Sequence, residues 1–236
     1  MAEFKVDLRI IIDTALAVGG AGSVGTLADK SMLRDGWNRP ILPASQVKGR
    51  TRHACEAIAR GLGIPICQPP KAETTCPHHP GVPVGAGGER RCIICQVFGS
   101  PGFPSRLQFR DLVHIPVTGD PAAAGDTYEA QEPLRPGVGL ERRRGTVQEA
   151  LLFLTETTKP GTQPVFAQAP AILGQLPGPG HALLVLMGLK QVLNWGGAKS
   201  RGLGWAQLIY EATWDDKPFA LDDPAGKEAL AAWISS

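Results

Sequence analysis

The chain has 236 residues, 43% of them hydrophobic and 19% charged, which excludes a disordered polypeptide and allows one sizeable core. Its 24 Lys and Arg against 22 Asp and Glu leave a net charge of only +2, so overall electrostatics do not by themselves mark a nucleic-acid binder. No apolar run approaches the roughly 20 residues of a membrane helix, and acidic residues stand near the N-terminus where a signal peptide would be basic; the expectation is a cytoplasmic protein with no membrane partner.

The 29 glycines and 21 prolines predict short elements joined by many turns. Residues 4–13, FKVDLRIIID, alternate and then turn apolar, as a strand buried on at least one face does. A long glycine-studded loop, VGGAGSVGTLADKSMLRDGWNRPILP, follows and carries Asp29 and Asp35. ASQVKGRTRHACEAIARGLG then reads as a helix, with Ser45 as its N-cap and Val47, Ala54, Ile58 and Leu62 on one stripe.

Next comes CQPPKAETTCPHHPGVPVGAGGERRCIIC, rich in Pro and Gly and nearly free of large apolar residues, a composition that builds no core of its own. Its four cysteines, Cys67, Cys76, Cys92 and Cys95, follow the pattern C-x8-C-x15-C-x2-C. In a reducing compartment, clustered thiols point to metal rather than disulfides. A structural Zn²⁺ held by four thiolates would supply the missing folding free energy and leave no open coordination position. The Cys92-x2-Cys95 knuckle is the firm part of the motif; the wider first spacing leaves His78 or His79 as an alternative to Cys76.

SRLQFRDLVHIPV, residues 105–117, reads as a strand, and residues 118–149 as a polar, basic protrusion too long for an ordinary connection. EALLFLTETT is a further strand candidate, PGHALLVLMGLKQVLNW an apolar and therefore buried helix, GWAQLIYEATW a final strand, and residues 224–234 a short amphipathic helix. The predicted class is α+β, close to the βαββαβ order of ferredoxin-like domains. One domain is expected over residues 1–236, with a zinc-binding insertion at 64–98 and the protrusion at 118–149.

Basic residues gather in three places: Arg34, Arg39, Lys48, Arg50 and Arg52; Arg142, Arg143 and Arg144; and Lys199 and Arg201. The last pair lies in NWGGAKSRGLGW, where glycine-freed N–H groups flanked by cations predict a phosphate-binding concavity. The loop follows a helix and precedes a strand, and its glycine spacing is not that of a nucleotide-binding P-loop. Asp35 is expected to be a structural partner of Arg34 or Arg50.

Three stretches resemble the RAMP superfamily of CRISPR proteins. They are the G-G-x-x-S-R-G-x-G loop at Gly196, Gly197, Ser200, Arg201, Gly202 and Gly204; the A-D-x-x-x-x-R-D stretch, with the P-x-S-x-x-K-G-x-x-R helix start at Pro43, Ser45, Lys48, Gly49 and Arg52; and FGSPGFPSRLQFRDL. Together they are similar to the repeated backbone subunit of type III effector complexes, and the cysteine insertion resembles the zinc-bearing III-D and III-E branches. The resemblance implies an RNA-recognition-like domain, copies of which, or paralogous subunits, line a guide RNA, with residues 118–149 as a thumb. It places Ser45, Lys48, Arg50 and Arg52, the loop residues Gly196, Gly197, Lys199, Ser200 and Arg201, and Arg142, Arg143 and Arg144 at the guide RNA. In active subunits an aspartate at the position of Asp29 cuts the paired target RNA, with Mg²⁺ or another divalent cation. An inactive backbone subunit is one alternative; the other is a RAMP endoribonuclease processing precursor guide RNA, for which His53 and His114 are the candidate histidines. A machine that accepts any guide reads phosphate and 2′-OH rather than base edges.

Overall fold

The computed structural model of the chain describes residues 1–19, 28–79, 81–82, 90–115 and 133–234. Residues 20–27 of the first glycine loop and 118–132 of the expected protrusion lie outside the described residues.

The principal sheet is built on β1 (Ala2–Ile12), β2 (Ile41–Leu42), β3 (Leu107–Phe109), β4 (Leu112–Ile115), β7 (Val165–Leu176), β8 (Ala206–Trp214) and β9 (Lys217–Pro218). Its order is β2-β4-β7-β1-β8-β9, with β3 also pairing with β7, and every pairing is antiparallel. The period-2 pattern legible in β1 decides its orientation: Phe4, Val6, Leu8, Ile10 and Ile12 are all buried, while Asp7 and Arg9 between them are exposed.

Over this sheet lie α1 (Ala44–Gly61), the short α2 (Ile93–Phe98), α3 (Pro179–Gln191) and α4 (Pro224–Ile234). As its composition predicts, α3 is buried almost all round, because α1 packs on one side and α4 on another. Two glycines permit these approaches. A Cβ at Gly188 would collide with the Cys55 thiol, and one at Gly180 would lie 2.9 Å from Ala229 and 3.0 Å from Trp233.

Two expectations change. EALLFLTETT does not join the main sheet; β5 (Leu134–Glu141) and β6 (Thr146–Glu156) form a separate two-stranded hairpin. The sheet position assigned to it belongs to β7, whose sequence VFAQAPAILGQL lacks clear alternation and holds a proline. That proline is tolerated because the β1–β7 register shifts between Val6 and Leu8, whose partners are Ile172 and Gln168, so Pro170 falls in an irregularity rather than in a regular ladder. The hairpin leaves Val138, Leu140, Val147 and Leu152 exposed, since a lone two-stranded ribbon has nothing to bury them against.

The cysteine-rich segment is not a separate appendage either. Ile66, Val82, Ile94, Val97 and Phe98, with all four cysteines, belong to the same buried cluster as Phe4, Leu112 and Leu184. Apolar burial therefore shares in holding the segment, in addition to any metal.

Candidate metal centre and nucleic-acid interface

Cys67, Cys76, Cys92 and Cys95 are each buried, and their sulfur atoms all lie within 4.8 Å of one another. The Cys67–Cys95 and Cys92–Cys67 sulfur pairs are 3.4 and 3.7 Å apart. Four thiolates around one ion at about 2.3 Å would sit about 3.8 Å from each other, so the donor set fits a metal such as zinc. Hydrogen bonding with Cys67 and Cys95 pulls the Cys92 thiol down, that with Cys67 and Cys92 pushes Cys95 up, and burial raises Cys76. The histidine alternatives fall outside it: His78 is exposed, and the His79 Nδ1 accepts the Gly81 N–H at 3.0 Å.

The cations of α1 are divided between two faces, because residues two apart on a helix point nearly opposite ways. Arg52 lies on the cysteine side. Its Nε bonds Glu56 Oε1 at 2.9 Å and its guanidinium donates to the Gly99 carbonyl at 3.0 Å. Burial alone would lower its pKa; the Glu56 hydrogen bond and the negative charge of Cys95, Glu56 and Cys67 raise it. Lys48, one turn earlier, makes no hydrogen bond or ion pair among the described residues, and burial followed by the proximity of Arg52 lowers its pKa. The opposite face carries Gln46, Arg50 and His53. Gln46 Oε1 accepts the Gly196 N–H at 3.2 Å, and Arg50 donates to the Gly196 carbonyl. Arg50, His53, Asn194 and Lys199 line a groove of about 430 Å³ between α1 and the segment after α3.

Ser45 is exposed within the first turn of α1 and is not its cap. Pro43 holds the cap position, and the Asp111 carboxylate accepts the Ala44 N–H at 2.7 Å from 67 residues away. The aspartate of the FRD motif thus serves the positive end of the helix.

The glycine loop differs from its predicted form. The Gly196, Gly197 and Gly204 N–H groups do not point outward; they donate to Gln46 Oε1, the Ala17 carbonyl and the Ala15 carbonyl. Left-handed backbone at Gly196 (φ +73°) and Gly204 (φ +79°) makes this close packing possible. What the loop presents outward is the turn Lys199–Arg201 and its exposed side chains Lys199, Ser200 and Arg201, flanked by left-handed Ala198 and Gly202.

The family model of the RAMP superfamily matches residues 9–207, most of the chain. The chain belongs to the RAMP superfamily. Proteins of that superfamily typically act with RNA in multi-subunit CRISPR complexes. No curated protein matches the chain, and among the described residues no helix is long and apolar enough to cross a membrane.

In this RAMP protein the segment holding Asp29 is fastened to the hairpin. Asp29 is exposed, and its Oδ2 accepts the Leu154 N–H at 2.7 Å. Lys30 and Glu156 each contribute a backbone N–H, to the Leu154 and Lys30 carbonyls at 3.2 and 2.9 Å, so the loop adds a short parallel bridge to β6. Arg34 pairs with Glu156 at 2.7 Å, and Glu156 also accepts the Met32 N–H at 2.6 Å. Asp35 bonds Arg39, at 2.7 and 2.8 Å, and the Trp37 and Arg39 N–H groups, rather than Arg34 or Arg50.

Arg142, Arg143 and Arg144 occupy the exposed hairpin turn, apart from the glycine loop in sequence and in sheet. Of the candidate histidines, His114 is buried against Phe166, whereas His53 is exposed in the Arg50–Lys199 groove. Sequence reading did not single out Glu156 or Phe153, whose partners Arg34 and Lys30 are more than 120 residues distant in the chain, and it held Asp111 only as part of the FRD motif, without its partner at the start of α1.

Proposed function

We propose that this protein is a guide-RNA-binding backbone subunit of a type III CRISPR interference complex, and that Asp29 cuts the RNA paired with the guide with the help of Mg²⁺ or another divalent cation. The observation that carries the reading is the attachment of Asp29 to β6: its carboxylate is fixed at the base of a projecting hairpin instead of swinging on a free loop. A lone carboxylate contributes to phosphodiester cleavage as a metal ligand or by taking a proton from the 2′-OH, provided it is held in position.

The βαββαβ core formed by β1, α1, β4, β7, α3 and β8 fits a ferredoxin-like, RRM-like domain, and β5 and β6 with Arg142 to Arg144 at their tip fit the thumb. The exposed apolar side chains of the hairpin favour contact with neighbouring subunits. The guide's phosphates are assigned to the Arg50–Lys199 groove, Lys48, Ser45 and Ser200 of the glycine loop, contacts that are indifferent to base identity. The cysteine site is assigned a structural Zn²⁺ and the complex a cytoplasmic location.

The test is made in the assembled complex with its guide. Asp29→Ala is expected to abolish cutting of complementary RNA in Mg²⁺ while the amount of co-purified guide stays the same. Cutting at the parental rate would place the active site elsewhere, and a complex that carries no RNA would overturn the reading as a whole.

A further inference from the structure

Two cations approach one aromatic ring at the base of the hairpin. The Lys30 ammonium lies 5.7 Å from the centroid of Phe153, and the Arg201 guanidinium carbon lies 5.1 Å from it. They come from opposite ends of the chain, 171 residues apart by their numbers. Each is exposed, and neither forms an ion pair among the described residues. Cation–π attraction at an exposed site is enough to orient each side chain but not to neutralise it. Two like charges brought to one ring repel one another until an anion joins them.

The backbone beneath each cation is fixed. Lys30 lies on the bridge to β6, and Arg201 ends a turn closed by left-handed residues on both sides. Gly137 faces Phe153 across the hairpin, and a Cβ there would run into the ring and lie 3.1 Å from the Arg201 guanidinium. A side chain at that position would therefore displace the ring from its present place. Asp29 precedes Lys30, and its carboxylate is bonded to Leu154, the residue after Phe153. One carboxylate and two unneutralised cations are thus arrayed around two consecutive residues of β6.

We propose that Lys30 and Arg201, held by Phe153, form a phosphate clamp for the RNA strand presented to Asp29, rather than part of the grip on the guide. The proposal rests on the reading of Asp29 as the cutting residue. The clamp is a positioning device that also offsets charge developing on the scissile phosphate.

The test uses the assembled, guide-loaded complex and a complementary RNA in two forms, natural and with one uncharged methylphosphonate linkage at the cut position. Lys30→Met and Arg201→Met are each expected to slow single-turnover cutting at saturating natural RNA by about 10- to 100-fold, with guide content unchanged. Lys30→Arg and Arg201→Lys are expected to recover much of the rate. In binding, the uncharged linkage should weaken affinity for the parental complex but make little further difference to the two Met variants, a non-additivity that a purely structural role would not produce.

Parental cutting rates in Lys30→Met and Arg201→Met, beside an inactive Asp29→Ala, would overturn the clamp while leaving the cutting residue in place. Loss of guide from Arg201→Met would also overturn it, by returning Arg201 to the guide. Parental cutting by Asp29→Ala would remove the reading on which the clamp stands.

Discussion

Arg34 and Glu156 meet at 2.7 Å with side chains only 18% and 10% exposed, and this pair ties the segment after Asp29 to the last residue of β6. Glu156 also accepts the Met32 N–H. Arg34→Ala leaves a buried carboxylate with one partner fewer, and is expected to cost about 3 kcal/mol in urea unfolding. Removing both charges with Arg34→Met and Glu156→Leu should cost less, about 1–2 kcal/mol, because the Met32 N–H is the buried group then orphaned, while the exposed Asn38 carbonyl that accepts from Arg34 turns to water. A single variant no more destabilising than the double would show that the pair does not act as a unit.

Gly202 and Gly204 separate two causes of glycine dependence. Both are left-handed, at φ +78° and +79°, but a Cβ at Gly202 meets open space whereas one at Gly204 would collide with the Trp195 carbonyl. Gly202→Ala is expected to cost about 1–2 kcal/mol from conformation alone, and Gly204→Ala distinctly more, with about 3 kcal/mol as a lower figure. Equal denaturation midpoints for the two variants would contradict this account.

The cysteine centre predicts one equivalent of zinc in protein purified without added metal, counted by elemental analysis. Stripping it with a chelator, or substituting Cys92→Ser, should lower the melting temperature by on the order of 10 °C, the equivalent of several kcal/mol for a chain of this size. Since Ile94 and Phe98 anchor the segment in the core, the stripped protein should keep its helical circular dichroism below that temperature. Unchanged melting with the chelator would refute a stabilising metal.

His181 gives a pH dependence with a definite sign. It is buried between α2, α3 and α4, its Nε2 lying 3.0 Å from Gln96 Oε1 and its ring against Trp233, and burial pulls its pKa from 6.5 to about 4. Between those values the unfolded chain binds a proton that the folded chain refuses, so stability falls as pH drops from 6.5 toward 4 and is unaffected above. The difference is about 3 kcal/mol. His181→Gln should flatten this part of the stability profile, measured by urea titration across the range, and an undiminished slope in the variant would assign the effect to other groups.

Local chemistry was legible wherever it rests on neighbours in the chain. Periodicity alone oriented β1 and identified α1 and the buried α3, since side-chain spacing sets which face is apolar. The spacing of Cys92 and Cys95 announced the buried four-cysteine cluster, and the glycines from 196 to 204 announced a tightly constrained loop. The sequence could not say where the freed N–H groups of that loop would go. They bond residues 15–17 and Gln46, partners about 150 residues or more away.

Tertiary structure alone decided which strand enters the sheet. EALLFLTETT has the stronger strand pattern, yet the weaker VFAQAPAILGQL takes the place beside β1, because pairing energy is a property of two strands and not of one. The same reason governs the site. Asp29 and Lys30, Phe153, and Arg201 lie in three distant parts of the chain, and only the closing of the hairpin against the loop and the glycine turn brings two cations to one ring and a carboxylate to the N–H of the following residue. Composition and local spacing determined the chemical groups available; long-range burial and hydrogen bonding determined which of them meet.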